Sequence, residues 1–597
     1  MFDYRARAGT SSSEVTFPAP SAGWVQSGNI TTAAPNQAEV LDNFFPTAQG
    51  AELRKGSTAY ADLGAGVVRM FTYSNGAIEK LFAGTSTALF DAGRVNGGDN
   101  SFAEIEGLTS GDWSATQMAT SGGVFTVAVN GSDAALYYDG SDLFPINGAA
   151  VYGVAFDAET AAFAVGQTVT GGTSGATATI VAIAKTSATA GTLYTGAITG
   201  TFQDNETITD AATGSATANS PSASALSSIA ITGVSTDALS QIWNFKERLF
   251  FVEENTLSAW YLPVEQIGGT ATELDLGSVF GKGGSLIFGA TWSLDAGDGI
   301  DDVCIFASDK GEIAVYEGTD PGSASTWGLR GVYDIGQPLN KHAFFKAGGD
   351  LAILTEDGII PVSEALRKDR AALSATAITY PIEDAWREAI TRASTSYPVS
   401  ATLLQSESLL LVGTPAGTTD APVSFVANAR TGAWARYVGW DVRCSASFED
   451  DLYFGTNAGK VMKANSGGQD DGEPITAYYM PKFRDFSGPC VIAEHAGVTY
   501  RSTEKIAVKM GAKGDYNIDA IKVATEASSP QTSAWGSGTW GTFVWGAEAT
   551  KTFQTWKAAY AQGYSLAPTL SVISNTTAPL RFDVLATRLR FKVGRGL

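Results

Sequence analysis

The two histidines of this 597-residue chain are His342 and His495. Imidazole is the commonest general base and a frequent metal ligand. With two histidines, the chain is poorly suited to catalysis or metal binding that needs several imidazoles. His342 precedes a pair of phenylalanines at the start of a predicted strand, and His495 lies between Glu494 and Ala496. We interpret both as structural or surface histidines. The sequence predicts no metal site and no cofactor.

Clustered carboxylates are the other candidates, because pairs of Asp and Glu carry out glycoside hydrolysis. Three clusters occur, at residues 298–302, 449–451 and 470–473. All three are expected in turns between strands, two contain glycine, and none has the spacing of a calcium loop. We interpret them as solvated turn residues, although a glycan-cleaving enzyme that uses Asp301 or Asp451 stays an alternative. We predict that the protein is not an enzyme.

Three tryptophans, Trp535, Trp540 and Trp545, each precede a glycine at a spacing of five. Large rings beside glycine suit a loop that docks into a groove of the same or a neighbouring subunit. A platform for stacking sugars is the alternative. We predict that these three residues dock subunits.

The amino-acid composition of the chain argues against several kinds of protein. The 39 basic and 61 acidic residues give a net charge of −22, which we expect to be spread along the chain. Such a surface repels phosphate and argues against gripping nucleic acid, but it allows DNA to slide past. The three cysteines are too few and too widely spaced for a disulfide framework. No apolar run is long enough for a membrane span, and the first residues lack a signal peptide, so we expect a soluble protein made in a cytoplasm.

A repeated sequence pattern predicts the elements that position these residues. We call it the repeated phrase: an apolar strand, a polar turn and a second apolar strand. Its spacing is about 40–50 residues once one insertion is removed, which is typical of propeller blades. We predict an all-β fold with a β-propeller of six to eight blades. The phrase reads LFAG at 81–84, VFTV at 124–127, LFFV at 249–252, CIFA at 304–307, LAIL at 351–354, LLLV at 409–412 and LYFG at 452–455.

The insertion is rich in Thr, Gly, Ala and Ser and has its own repeat, in which Phe163 and its neighbours return 39 positions later at Phe202. Alternation of Thr with Val or Ile predicts a small β module. A helix is predicted at residues 381–390, packed outside the ring. The predicted organisation is an N-terminal arm or ring-closing segment at 1–60, first blades at 61–151, the inserted module at 152–235, further blades at 236–470 and a C-terminal β platform at 471–597.

Seven segments follow one another along the chain: VLDNFFPT at 40–47, ELRKG at 52–56, AVYEGTDP at 314–321, WGLRGVYDIG at 327–336, the loop of Trp535, Trp540 and Trp545, YSLAP at 564–568 and VLATRLRF at 584–591. In this order they resemble the propeller-type tail nozzle or tail-hub proteins of short-tailed bacteriophages, also described as packaged-DNA stabilisation proteins. The inserted module departs from that pattern.

The resemblance implies a structural virion protein, found in the tail, that forms a hexameric ring below the portal and adaptor. It implies contacts with tail fibres or a tail-tip needle, and DNA that is retained and then ejected through the lumen without specific binding. An acidic lumen would keep DNA from sticking. The alternative is a receptor-binding tail protein that uses the inserted module as a glycan-binding domain.

Overall fold

The structure, a computed structural model, describes residues 12–28, 34–96, 104–146, 150–219, 225–226, 229–295, 300–392, 398–414, 422–486, 488, 490–519, 521 and 550–593. Strands dominate it, and seven small antiparallel sheets follow one another around a ring. The inner part of each sheet contacts the next, and the seventh contacts the first. The prediction of an all-β propeller is confirmed, and it has seven blades.

The blades are numbered in chain order of their inner strands, and each is given from its inner to its outer strand. Blade 1 contains Arg69–Ser74, Glu79–Gly84, Ala88–Asp91 and Ile105–Glu106; blade 2 contains Ser114–Thr120, Gly123–Val129, Leu136–Tyr138 and Leu143–Pro145; blade 3 contains Leu239–Phe245, Arg248–Glu253, Ser258–Tyr261 and Thr272–Asp275; blade 4 contains Leu286–Asp295, Ile300–Ser308, Glu312–Gly318 and Trp327–Asp334; blade 5 contains Phe344–Ala347, Asp350–Thr355 and Gly358–Pro361; blade 6 contains Ser400–Leu404, Leu409–Thr414, Val423–Asn428 and Ala433–Val438; blade 7 contains Cys444–Phe448, Asp451–Gly455, Lys460–Lys463 and Thr58–Asp62.

The second strand of each blade is the apolar run of the repeated phrase. Successive side chains of a strand point to opposite faces, and here neighbouring blades cover both faces. Phe250 and Phe251 of blade 3 are accordingly both fully buried. Blades 3 and 4 approach so closely that a Cβ atom on Gly289 would lie 2.3 Å from the Trp243 ring. The buried amide of Gln241 donates to Gly289 O (3.1 Å) and accepts from Gly289 N (3.0 Å), which fixes the spacing.

Strand Thr58–Asp62, from near the N-terminus, closes the ring as the outer strand of blade 7, where Ala61 pairs with Val461. Among the described residues blade 5 has three strands, and its outer strand Gly358–Pro361 contacts helix Glu383–Arg392. Trp386 of this helix is buried and donates from Nε1 to Thr355 O at 3.1 Å. The other helices are short: Ala92–Asn96, Val362–Ala365 and Arg370–Leu373, with 3₁₀ turns at Thr236–Ala238, Ser374–Thr376 and Tyr380–Ile382.

The inserted module is a closed six-stranded barrel with its own apolar core. Val151 O accepts a hydrogen bond from Leu226 N (2.7 Å), so the two ends of the insertion meet at the propeller. Two further strands, Ile231–Thr232 and Gly269–Thr270, pair beside blade 3. The barrel strands are Tyr152–Ala161, Thr168–Gly171, Thr177–Ser187, Ala190–Thr195, Thr207–Asp210 and Ser215–Ala218.

The C-terminal platform consists of two sheets, and the N-terminal part of the chain supplies strands to both. One sheet contains Ser13–Pro18, Phe44–Thr47, Gly50–Leu53, Val491–Ser502, Lys551–Gly563 and Asp583–Val593. The other contains Ala38–Asp42, Gln469–Asp470, Glu473–Pro481, Arg484–Asp485, Lys509–Gly514 and Ser565–Ser574, and it joins blade 6 where Asp42 pairs with Arg436. We call residues 34–62 the N-terminal clasp, because they pair with the platform and with blades 6 and 7.

Arg54 lies at the centre of the N-terminal clasp with its side chain fully buried. Its Nη1 and Nη2 atoms donate to the two carboxylate oxygens of Asp470 (2.9 and 2.5 Å), and its Nε donates to Asn43 Oδ1 (2.8 Å). The guanidinium also lies 5.3 Å from the Tyr437 ring and 5.0 Å from the Trp440 ring. One cation therefore links the clasp to blade 6 and to the strand that leads into the platform.

Replacing Arg54 should destabilise the whole protein. In Arg54→Met the Asp470 carboxylate loses its cation while the aliphatic stem is kept, and breaking a mostly buried pair costs about 3–5 kcal/mol. The free energy of unfolding in urea measures this loss. Adding Asp470→Asn should recover part of it, since the unpaired charge is then removed. A single Arg54→Met variant as stable as the parent would show that the ion pair does not hold the junction.

Candidate functional site

Residues in or next to the inner strands of blades 1 to 6 line an open cavity of about 410 Å³ near the propeller axis. Its wall combines polar groups, such as Thr116, Asn244 and Thr291, with the cationic side chains of Arg69 and Lys346. Inner strands line this cavity because they start side by side around the axis. It is the central concave site of the fold, which is the usual place to look for a ligand.

One end of the axis is bridged by part-buried polar and charged groups that come from non-neighbouring blades. Asp112, just before blade 2, faces His342, just before blade 5, with Asp112 Oδ1 and His342 Nε2 3.0 Å apart. Lys341 Nζ lies 3.2 Å from Asp112 Oδ2 and donates to Asp112 O at 2.7 Å. Arg69 of blade 1 adds a second cationic neighbour, with Nε 3.7 Å from Asp112 Oδ1. We call these four residues the axial plug.

The protonation states of the axial plug follow from burial and from its excess of cations. Burial alone would raise the pKa of Asp112, but His342, Lys341 and Arg69 together hold that pKa well below its usual range. Burial, together with the charge of Arg69, lowers the pKa of His342 to about 4 against the opposing effect of Asp112. Burial also lowers the pKa of Lys341. At neutral pH a neutral imidazole therefore faces a carboxylate, and His342 acts as a structural residue.

The three acidic clusters are not brought together. Asp302 lies within the second strand of blade 4, so its prediction as a turn residue is wrong; it accepts from Ser293 Oγ (2.7 Å) and pairs with Lys246 (3.2 Å). The run of alternating Asp and Gly conceals this strand, because such residues favour turns. Asp451 begins the second strand of blade 7 and pairs with Lys463. Asp470 holds Arg54. These carboxylates serve as ion-pair partners in separate parts of the molecule.

A second cavity, of about 480 Å³, lies where the N-terminal clasp meets the platform. It brings together Glu52 and Asp583, which are direct partners on adjacent strands although far apart in the sequence. Burial, with the charge of Asp583, raises the pKa of Glu52, and burial also raises the pKa of Asp583. Arg581 and Lys55 line the same cavity and offset the two acids. No local sequence motif predicts the Glu52–Asp583 pair, because the two residues come together only through the pairing of their strands.

The remaining predicted site residues give no contacts to describe. Trp535, Trp540 and Trp545 lie outside the described residues.

Within the described ranges, no group of three or more His, Cys, Asp and Glu side chains is placed to hold a metal ion. The helices of the described chain include none that is long and apolar enough to cross a membrane. Cys304 and Cys444 are buried free thiols.

The negative charge is distributed over a long stretch of the chain and is not gathered into a tail, but its balance changes near residue 470. Residues 1–470 contain 25 basic and 51 acidic residues, a net charge of −26. Residues 471–597 contain 14 basic and 10 acidic residues, a net charge of +4. The part of the chain that contains the propeller and barrel is therefore strongly acidic, and the C-terminal part is weakly basic.

No protein-family model matches the chain, and no curated protein matches it. Among solved structures, Sqt1 of Saccharomyces cerevisiae aligns at 12% identity over 69% of this chain and 99% of that chain, with a TM-score of 0.33. The computationally designed Ika8 protein aligns at 9% identity over 69% and 99%, with a TM-score of 0.32. YCF48 from Cyanidioschyzon merolae aligns at 10% identity over 68% and 98%, with a TM-score of 0.23. Alignments this weak carry no argument about function.

The axial plug should make stability depend on pH between about 6.5 and 4. An unfolded histidine takes up a proton near pH 6.5, whereas folded His342 does so only near pH 4. Between these values the unfolded state binds more protons, so stability falls as pH falls, by about 1.4 kcal/mol per unit. Denaturant unfolding at pH 7 and pH 5 measures this. His342→Gln should flatten the dependence, and His495→Gln is the matched control. An equal slope in parent and His342→Gln would contradict the assignment.

Proposed function

We propose that this chain is a structural subunit of a short-tailed phage tail, one copy of an oligomeric, six-membered nozzle through which the genome is retained and then ejected. The observation that carries the proposal is the placement of the segments that carry the resemblance. Those at 40–47 and 52–56 pair with strands of the platform and blade 6, and the one at 584–591 pairs with the clasp through Val584 and Ala51. These three segments therefore meet where propeller and platform are joined, and the segments at 314–321 and 327–336 lie in blade 4.

The axial plug supports a conduit formed between subunits rather than through one propeller. Asp112, Lys341 and His342 cross the axis of the single ring, and the cavity of about 410 Å³ beside them is far too small for duplex DNA. A passage for DNA therefore needs several copies around a common axis. A wall built from acidic propellers would repel phosphate and let DNA slide.

Electron microscopy of the purified protein, and of virions labelled with an antibody to it, tests the proposal. We expect ring-shaped particles of six copies and label at the tail. Six copies around an open centre give a closed cyclic assembly in which all interfaces are equivalent. Particles of single-chain size at every concentration, together with tails that carry no label, would contradict the proposal.

The inserted barrel favours one second function, recognition of a receptor glycan by the tail. It has a separate core, and it is attached at adjacent chain ends, Val151 and Leu226. A domain held in this way can be gained or lost with little effect on its host. One side of the barrel also packs on the propeller: Ala182 and Tyr194 join the core of blades 1 to 3, and Tyr194 Oη lies 3.3 Å from Asp142 Oδ1.

Replacing residues 152–225 by a short glycine-serine linker separates the two functions. The propeller should still fold, because the ends already meet, and thermal unfolding of the variant checks this. If the barrel binds a receptor, phage carrying the deletion should assemble with normal yield but lose adsorption to host cells. Normal adsorption by assembled particles would exclude the receptor role and leave the nozzle role untouched.

A further inference from the structure

The outer face of the first platform sheet is exposed and is rich in the residues of interfaces. Arg588, Arg590 and Lys592 alternate with the buried Leu589 and Phe591 along strand Asp583–Val593, so the three cations share the outer face. The neighbouring strands place more groups on that face in register. Gly497 and Trp556 lie beside Arg588, and Ile492 lies beside Lys592.

Aromatic and apolar groups lie among these cations. The Arg590 guanidinium stacks over the Trp556 ring at 5.0 Å. Tyr560 is 81% exposed and Ile492 is 38% exposed. Exposed large apolar groups that cluster mark an interaction surface, and Tyr, Trp and Arg are the residue types enriched at protein interfaces. We call this surface the platform face.

The charges of the platform face suit a protein partner better than a nucleic acid. Glu14 lies 3.4 Å from Arg588 and 3.5 Å from Arg590, and Glu494 lies 2.5 Å from Lys592. Carboxylates interleaved with the cations would oppose a phosphate backbone, because each phosphate contact depends on unopposed positive charge. Mixed charge with a net positive sign instead fits a polar and acidic protein surface.

The same chain carries such a surface on its propeller. Residues 236–276, which contain blade 3, include seven acidic and two basic residues. Glu273 and Asp275 lie two residues apart on the outermost strand of that blade and are both exposed, so they point the same way from its rim. Within the described part of the chain, neither makes an ion pair. Blade 3 therefore presents carboxylates with no basic partner of their own.

We propose that the platform face binds the rim of blade 3 of a second copy, head to tail, and that this contact builds the ring. The inference rests on the proposed oligomeric nozzle and adds the surfaces that form it. Two different patches meet in such a contact, so repeating it around an axis closes a ring. It also removes the cations of the platform face from the passage, because the neighbouring copy covers them.

Charge reversal in the full-length chain tests the contact. Arg590→Glu with Lys592→Glu should weaken assembly at least tenfold in apparent dissociation constant, because like charges then oppose each other across the contact. Adding Glu273→Lys and Asp275→Lys to the same chain should restore assembly. The matched control is Lys509→Glu with Lys513→Glu, the same charge change on the other platform sheet, which should assemble as the parent does. Mass photometry measures particle size, and thermal unfolding verifies that each variant folds.

The outcomes are distinguishable. If the parent and the 590/592 variant (Arg590→Glu with Lys592→Glu) both form rings, this inference is wrong, but the proposed nozzle still stands. A parent that never assembles overturns both. Assembly that is lost and not restored by the blade 3 changes overturns blade 3 as the occupant. If the 590/592 variant still assembles but loses the parent's binding to a 30-base-pair duplex, the platform face binds nucleic acid and the proposed contact is wrong. Tyr560→Ser should weaken assembly without changing charge.

Discussion

The buried pairing of Arg54 with Asp470 is the interaction on which the rest of the fold depends. A seven-bladed ring must be closed by strands from distant parts of the chain, and here the closing strand Thr58–Asp62 follows Arg54 by only a few residues. The same guanidinium bonds to Asn43, whose backbone N donates to Arg436 O of blade 6. If this cation were displaced, the ring closure and the attachment of the platform would loosen together. A fully desolvated arginine is costly, so its retention points to a structural constraint at this junction.

The local pattern of the sequence was sufficient to predict the propeller, but it could not predict the contacts that join the blades, the N-terminal clasp and the platform. Runs such as LFFV at 249–252 predict strands covered on both faces, and their spacing predicts blades, because each blade is a contiguous stretch of chain. Asp112 and His342 meet across 230 positions, and Arg54 and Asp470 across 416. No periodicity links residues so far apart. The same holds for Glu52 and Asp583, which the platform sheet brings side by side.

The two histidines show that composition can argue against histidine-based catalysis but cannot locate the contacts of an individual histidine. With two imidazoles in the chain, a catalytic network of histidines was already improbable, and His342 is a buried structural residue, as interpreted from the sequence. Its partner could not be found, since an isolated Asp112 between glycine and tryptophan has the appearance of a turn residue. Its partners change the meaning of such a residue: a part-buried carboxylate in contact with Arg69, Lys341 and His342 bridges the axis.

The division of charge between the two parts of the chain links architecture to assembly. A uniformly acidic subunit would repel its own copies, and the more copies a ring contained the greater that cost would be. Concentrating a charge of −26 in residues 1–470 and +4 in residues 471–597 offers each copy one surface that attracts the next. The long-range part of this attraction is screened within about 10 Å at ordinary ionic strength, so close contacts must add to it. Tyr560, Ile492 and the Trp556–Arg590 stack lie on the platform face where such contacts would form. Charge then selects which surfaces meet, and burial of the aromatic groups holds them together.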